Sequence, residues 1–240
     1  MADRQIIFSA SMVCALIAGT KTQTRRILKP RAGTTIADAT VDAGQALGGI
    51  ARRLEVPVER LRLHYAANDR LWVRENVRAD ELATGQDGIR YLADEAWLPI
   101  ENSREAADRW VALNHYGSTA KQPCRGRKVP SIHMPRWASR LTLTVTEVRV
   151  ERLQGISEAD AIAEGVSNGT RPDGSPFWAP PAGFGGTRFV DSARHAFADL
   201  WKTIHGPESW AANPWVAAIS FGVAYANIDA PPRLTTGGRA

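Results

Sequence analysis

Leu141-Thr142-Leu143-Thr144-Val145-Thr146-Glu147-Val148-Arg149-Val150 is the stretch that decides the architecture of this chain. From Leu141 to Thr146 apolar and polar side chains alternate, the period of a strand with one buried face and one wet face. After Glu147 the apolar residues Val148 and Val150 take the opposite parity. A bulge, or a stretch buried on both faces, accounts for that change. The strand runs into Ser157-Glu158-Ala159-Asp160, a capping-box-like helix opening with an acid at the third helical position. That helix is expected to close near Gly165.

Downstream, residues 167–188 are rich in Gly and Pro and read as a long surface loop. Phe177, Trp178 and Phe184 on it are candidates either for a lid over a site or for a structural flap. Residues 192–205 form an amphipathic helix with Phe197, Leu200, Trp201 and Ile204 on one face. Residues 215–225 are an apolar, central strand, and the tail from Asp229 is expected to fray. Upstream, residues 5–8 are a short strand. Ser9 or Ser11 caps the helix carrying Met12, Ala15, Leu16 and Ala18, and Gly19 stands at its C′ position. Pro30 stops any helical continuation. Residues 37–53 hold a weak helix, and Asn68-Asp69-Arg70 is a turn into a strand at 71–75. Within 78–130 a strand at 89–92, a helix at 104–113 and a basic turn at 125–128 are expected. Strands and short helices mix without a βαβ period. The expected class is therefore α+β, built round a small curved, barrel-like sheet. One domain covers residues 1–228, elaborated near 31–66, 78–130 and 167–190, with a flexible tail at 229–240.

The 240 residues carry a formal charge of +5. That tilts mildly towards anionic partners, but the basic residues are dispersed. No apolar run approaches the ~18 residues of a membrane span. No basic flank precedes a long apolar run at the N-terminus, so the expectation is a cytoplasmic protein with no membrane partner. Cys14 falls in an apolar helical pattern and reads as a core residue, and Cys124 is far from it in sequence. The five histidines lack ligand spacing, so no metal site or other cofactor is expected.

The densest chemistry lies in Gly19-Thr20-Lys21-Thr22-Gln23-Thr24-Arg25-Arg26. Lys21 and Thr24 supply a base and a hydroxyl three residues apart, the two halves of an acyl-transfer centre. A solvated Lys and a turn Thr are the plain alternative. Arg25 and Arg26 are candidates to hold a planar polar ligand. In Trp72-Val73-Arg74-Glu75, Trp72 shares a face with Arg74 and Glu75 shares one with Val73. Trp72 is a candidate stacking residue. Glu75 pairs with Arg25 or Arg26, reads a ligand amino group, or forms an ordinary ion pair. Glu164 closes its helix against the dipole, at a cost of ~0.3–1 kcal/mol, which is tolerated most readily where a residue has a job.

Residues 16–25, 69–75, 143–150, 156–165, 197–201 and 213–216 together resemble the ASCH domain, a PUA-like small β-barrel that contacts RNA or nucleosides. Residues 130–140 resemble the longer members often carried by phages and prophages. The closest functional analogy in the superfamily is to the bacterial N4-acetylcytidine amidohydrolases. Their lysine and threonine in an Ala-Gly-x-Lys-Thr-x-Thr turn fall on Lys21 and Thr24, and their glutamate falls on Glu164, with Glu158 and Asp160 nearby. The resemblance implies a metal-independent amidohydrolase, acting as a monomer on an N4-acylated cytosine nucleoside. Thr24 is its nucleophile, or holds the oxyanion while Lys21 and Glu164 activate water. Two other classes stay open, a non-catalytic RNA or modified-base reader and a metal-independent ribonuclease.

Overall fold

The structure, a computed structural model, describes residues 1–28, 65–117, 125–181, 184 and 189–230. The readings of Pro30, residues 37–53, Cys124 and the tail beyond 230 lie outside the described residues. In chain order the elements are β1 (Asp3–Ile7), α1 (Ala10–Ile17), β2 (Gln23–Ile27), β3 (Arg70–Arg74), β4 (Val77–Glu81), β5 (Asp87–Tyr91) and β6 (Trp97–Pro99). They continue with α2 (Arg104–Asn114), β7 (Thr142–Arg152), α3 (Glu158–Ala163), β8 (Ser167–Thr170), β9 (Pro176–Ala179), α4 (Ala193–His205) and β10 (Trp215–Ala224). The class is α+β.

The main sheet has five strands in the order β1-β3-β7-β10-β2. Only β1 and β3 run parallel; the other neighbours are antiparallel. The parity change in β7 is a bulge. Ser220 faces Glu147 and Phe221 faces Val145, so Thr146 has no partner across the strand. That extra residue lets the apolar side chains on either side of it meet the same core.

In a flat sheet the edge strands β1 and β2 would stand about 19 Å apart, four inter-strand spacings. Yet Arg26 of β2 donates from Nη2 to the Ile7 carbonyl of β1 at 2.8 Å. The sheet therefore curls until its edges meet through a side chain. No backbone ladder joins them among the described residues, so the expected barrel is found as an open, curled sheet. Its concave face is filled by Ile6, Phe8, Leu71, Val73, Leu143, Val145, Ile219 and Phe221, with Val13 and Leu16 of α1.

A second core lies under α3 and α4, with Leu153, Ala161, Phe197, Leu200, Trp201 and Val216. Ile204 is exposed rather than part of that face; Ala193 and Ala196 complete it instead. Within the expected elaboration at 78–130, the strands β4-β5-β6 form their own sheet, packed on α2 through Val77, Ile89, Trp110 and Leu113. Residues 125–129 run beside β4 rather than turning. Gly126 N–H donates to the Ala79 carbonyl at 2.9 Å and Val129 N–H to the Val77 carbonyl at 2.7 Å.

The expected long loop at 167–188 contains the hairpin β8–β9, closed by Gly174 at φ +84°. Its Trp178 and Phe184 pack on the α3–α4 core, and Phe177 meets Phe189 edge-on at 4.4 Å. That is the structural-flap arrangement. Cys14 is exposed, not a core residue, because the apolar stripe of α1 runs through Val13, Ala15 and Leu16. Its thiol points to the Ala93 carbonyl at 3.2 Å.

Candidate functional site

Two chain reversals build the site. At the end of α1, Gly19 takes φ +71°, and the N–H groups of Thr20 and Lys21 both turn back to the Ala15 carbonyl at 3.0 and 3.1 Å. Across from it, α3 opens on Ser157, whose hydroxyl accepts from Asp160 N–H, and closes on Glu164. Thr22 N–H then donates to the Ala163 carbonyl at 2.8 Å, and Lys21 and Glu164 form an isolated antiparallel bridge. Gly165 follows at φ +93°, where a Cβ would lie 3.2 Å from the Lys21 Cβ and 3.3 Å from the Ala15 Cβ. Only glycine combines that backbone with that closeness. The helix end is thereby pressed onto Lys21.

Lys21 is 0% exposed and Glu164 3%. Lys21 Nζ donates to Glu164 Oε2 at 2.7 Å and to the Glu164 carbonyl at 2.8 Å. Burial lowers the pKa of this amine, and the adjacent Glu164 carboxylate opposes the shift. With these two donors on Glu164, the remaining position on Nζ is either a third N–H or, in the neutral amine, a lone pair. Nζ lies 5.9 Å from the Phe8 ring centroid, and the Arg26 guanidinium carbon lies 5.3 Å from the same ring. Strand alternation in β2 puts Thr24 on the Arg26 side of the sheet, the side of Phe8. Thr24 is 3% exposed. Among the described residues its hydroxyl has no hydrogen-bond partner, and no hydrogen bond joins it to Lys21.

Gln23 and Arg25 face the other way, under α3 and α4. Arg25 donates from Nε and Nη2 to Glu151 Oε1 at 3.1 and 2.6 Å, and from Nη1 to Gln23 Oε1 at 2.6 Å. The same Nη1 reaches Glu164 Oε1 at 3.3 Å, and Nη2 lies 3.4 Å from Asp160 Oδ2. Gln23 Nε2 donates to Asp160 Oδ1 at 3.0 Å and to Ser220 Oγ at 3.1 Å. Asp160 also accepts from Arg149 at 2.7 Å. Burial raises the Asp160 carboxyl, but hydrogen bonds from Arg149, Gln23 and Ser157 outweigh it and hold it at about 2. Small residues on β10, Ala218 and Ser220, leave room beneath the helices for this cluster.

Of the residues singled out in the sequence, Lys21, Thr24, Glu164, Arg25 and Arg26 gather here. Arg25 has its donors occupied by protein groups, so it is placed to hold the site rather than to reach a ligand. Glu158, the rival for the glutamate role, accepts from the N–H groups of Ala193 and Arg194 at 2.8 and 3.3 Å and caps α4. Trp72 and Glu75 are not brought to Lys21. Trp72 lies on the outer face beside Arg74, whose guanidinium carbon is 5.3 Å from its ring. Glu75 is buried against Arg140, which donates to it from Nε and Nη2 at 2.8 and 2.9 Å. This is the ordinary ion pair among the alternatives for Glu75, and neither Arg25 nor Arg26 takes part. Glu151 and Asp160 are the site residues that sequence reasoning did not single out for this role. The signal for Glu151 was an acid two residues from Arg149 on the same face of a strand flanked by apolar residues.

A cleft of about 550 Å³ opens elsewhere, between the β4-β5-β6 sheet and the segment after β10, lined by Tyr91, Trp137, Arg140, Tyr225 and Asn227 among others. Its size suits a ligand, but its buried cation is already satisfied. Arg140 is bonded to Glu75, Asp94 and Tyr225. Among the described residues no three His, Cys, Asp or Glu side chains gather as a metal site, and no helix is long and apolar enough to cross a membrane. No family model, curated protein or solved structure matches this chain.

Proposed function

We propose that the chain is an amidohydrolase that removes the acyl group from an N4-acylated cytosine nucleoside, with Lys21, Thr24 and Glu164 as its catalytic residues, on a PUA-like, ASCH-type domain. The observation that carries this reading is the buried Lys21, whose donors are directed to Glu164 while one position of Nζ is left over. As a neutral amine it presents a lone pair, and burial favours that form. An amine with a lowered pKa can activate a hydroxyl brought to it at neutral pH, and Thr24 lies on the Phe8 side of the sheet, as Nζ does.

In the favoured sequence Lys21 takes the Thr24 proton as its oxygen bonds to the amide carbonyl carbon. The C–N4 bond then breaks, and the cytosine amine receives a proton through Lys21 and Glu164. Water next cleaves the acyl-threonine ester, releasing a carboxylate and restoring the hydroxyl. If water attacks directly, the same Lys21–Glu164 pair serves it and Thr24 holds the oxyanion. Arg26, close to Phe8 and bonded through Nη2 to the Ile7 carbonyl, is the candidate for contact with the base. The trio is nearly free of solvent, so turnover on this reading requires that it open to admit the nucleoside.

Three arginines near the N-terminal strand are already matched with acids, which weakens that face as a phosphate-binding surface. Arg4 is matched with Asp69, Arg70 with Asp3, and Arg136 with Asp3 and Asp229. The test is incubation of the purified protein with N4-acetylcytidine, with absorbance reporting cytidine, alongside a labelled single-stranded RNA. Release of cytidine with RNA intact is the expected result. RNA binding or cleavage without nucleoside turnover overturns the assignment.

A further inference from the structure

We propose that Arg25 is a positioning residue for the Lys21–Glu164 pair, anchored by Glu151 and Asp160, so that its guanidinium fork fixes the carboxylate against the Lys21 amine. The proposal rests on the amidohydrolase reading only for its kinetic arm.

The geometry has the form of a relay. Glu164 Oε1 meets Arg25 Nη1 at 3.3 Å while Oε2 meets Lys21 Nζ at 2.7 Å. A carboxylate held at both oxygens cannot rotate about its last bond, so its orientation towards the lysine is set by the arginine. The arginine is itself immobile. Its Nε and Nη2 both end on Glu151, its Nη1 is shared with Gln23, and its carbon lies 5.7 Å from the Phe197 ring centroid. Asp160 joins the edge of the cluster and is tied to Arg149 and Gln23. Arg25 is buried, and its described hydrogen bonds and ion pairs all end on protein groups. Its side chain therefore has the wiring of a support, not of a substrate contact.

The fork also acts through charge. The groups facing Lys21 are Glu164 from the end of α3 and Arg25 and Arg26 from β2, with the Phe8 ring beside Nζ. Both arginines disfavour the ammonium form, and Glu164 favours it. Loss of Arg25 removes one positive neighbour and leaves Glu164 more fully available to Lys21, so both effects raise the pH at which Lys21 loses its proton. A lysine at position 25 keeps the charge but has a single point of contact, so it cannot hold Glu151 and Glu164 together.

The experiment uses the full chain as native protein, Arg25→Gln and Arg25→Lys. It reads two things: the Lys21 titration by isotope-edited NMR of lysine side chains, and the pH profile of kcat and KM for N4-acetylcytidine. In Arg25→Gln the Lys21 midpoint and the ascending limb of kcat/KM should both move up by on the order of one pH unit. In Arg25→Lys the midpoint should return towards the native value. Its kcat should stay on the order of tenfold low, with KM changed less than about threefold, because the carboxylate is no longer held in place.

A folded Arg25→Gln with an unmoved Lys21 titration overturns the proposal. So does Arg25→Lys with native kcat, which also decides the matter if the glutamine variant fails to fold. If the native protein turns over no nucleoside but the NMR midpoint still moves as stated, the positioning role stands and the amidohydrolase reading falls.

Discussion

Removing the Lys21 amino group while keeping an unbranched chain in its place should destabilise the protein far more than the same change at a surface lysine. In Lys21→Met an unbranched chain of four heavy atoms still fills the place of the lysine stem beside Gly165, so packing changes little. What changes is Glu164, 3% exposed, which loses its 2.7 Å partner and keeps only Arg25 at 3.3 Å. Leaving a buried carboxylate without its closest hydrogen-bond donor costs about 3–5 kcal/mol, which for a chain of this length corresponds to a fall in Tm of roughly 6–20 °C. Neutralising both partners in Lys21→Met/Glu164→Gln should restore much of that, since no uncompensated charge is left. The assay is thermal and urea unfolding of the two single variants and the double, read as a cycle. A coupling on the order of 1–3 kcal/mol is expected. A single variant within about 0.5 kcal/mol of native, or strictly additive effects, would refute the buried-pair account. Loss of activity in a Lys21 variant therefore counts only in protein shown to be folded.

Gly165→Ala should cost roughly 1–3 kcal/mol and reduce kcat, because the new methyl meets the Cβ atoms of Lys21 and Ala15 at a backbone φ of +93°. Native-like stability and activity would mean the helix end is not pressed on Lys21. Asp160 is held at about 2 in the fold against an ordinary 3.8. Its contribution is thus complete above pH ~4 and lost as pH falls from about 4 to 2. Asp160→Asn should flatten the acid side of the stability curve in that window, and an unchanged curve would refute it. Glu75→Gln should lower stability through Arg140 and leave the KM of the folded protein unchanged. A raised KM would return Glu75 to the binding site. Shortening the β8–β9 hairpin should lower Tm and leave the kcat/KM ratio of N4-acetyl- to N4-benzoylcytidine unchanged, and a changed ratio would make it a lid.

Much of this fold was legible because its signals are local. The parity change after Glu147 marked the bulge at Thr146, Ser157 marked a cap, and Gly19 marked a helix end, each by the chemistry of one or two residues. The hairpin at 167–179 was hidden by a composition read as loop, although Pro172-Asp173-Gly174 is a turn signature. Cys14 and Ile204 show that a helical stripe is narrower than its apolar residues suggest. In the site, Lys21, Thr24 and Glu164 were visible as unusual residues at element ends. The partners of Arg25 were not, because Glu151 and Asp160 lie more than a hundred residues away and reach it only through the β2–β10–β7 register.

The most direct test of the account is the initial rate of cytidine release from N4-acetylcytidine by native protein, Glu164→Gln and Glu158→Gln, compared in folded samples. The account predicts turnover by native protein and by Glu158→Gln, whose residue only caps α4, and a loss on the order of 10²-fold or more in Glu164→Gln. Equal rates in native and Glu164→Gln, or a loss confined to Glu158→Gln, would contradict it.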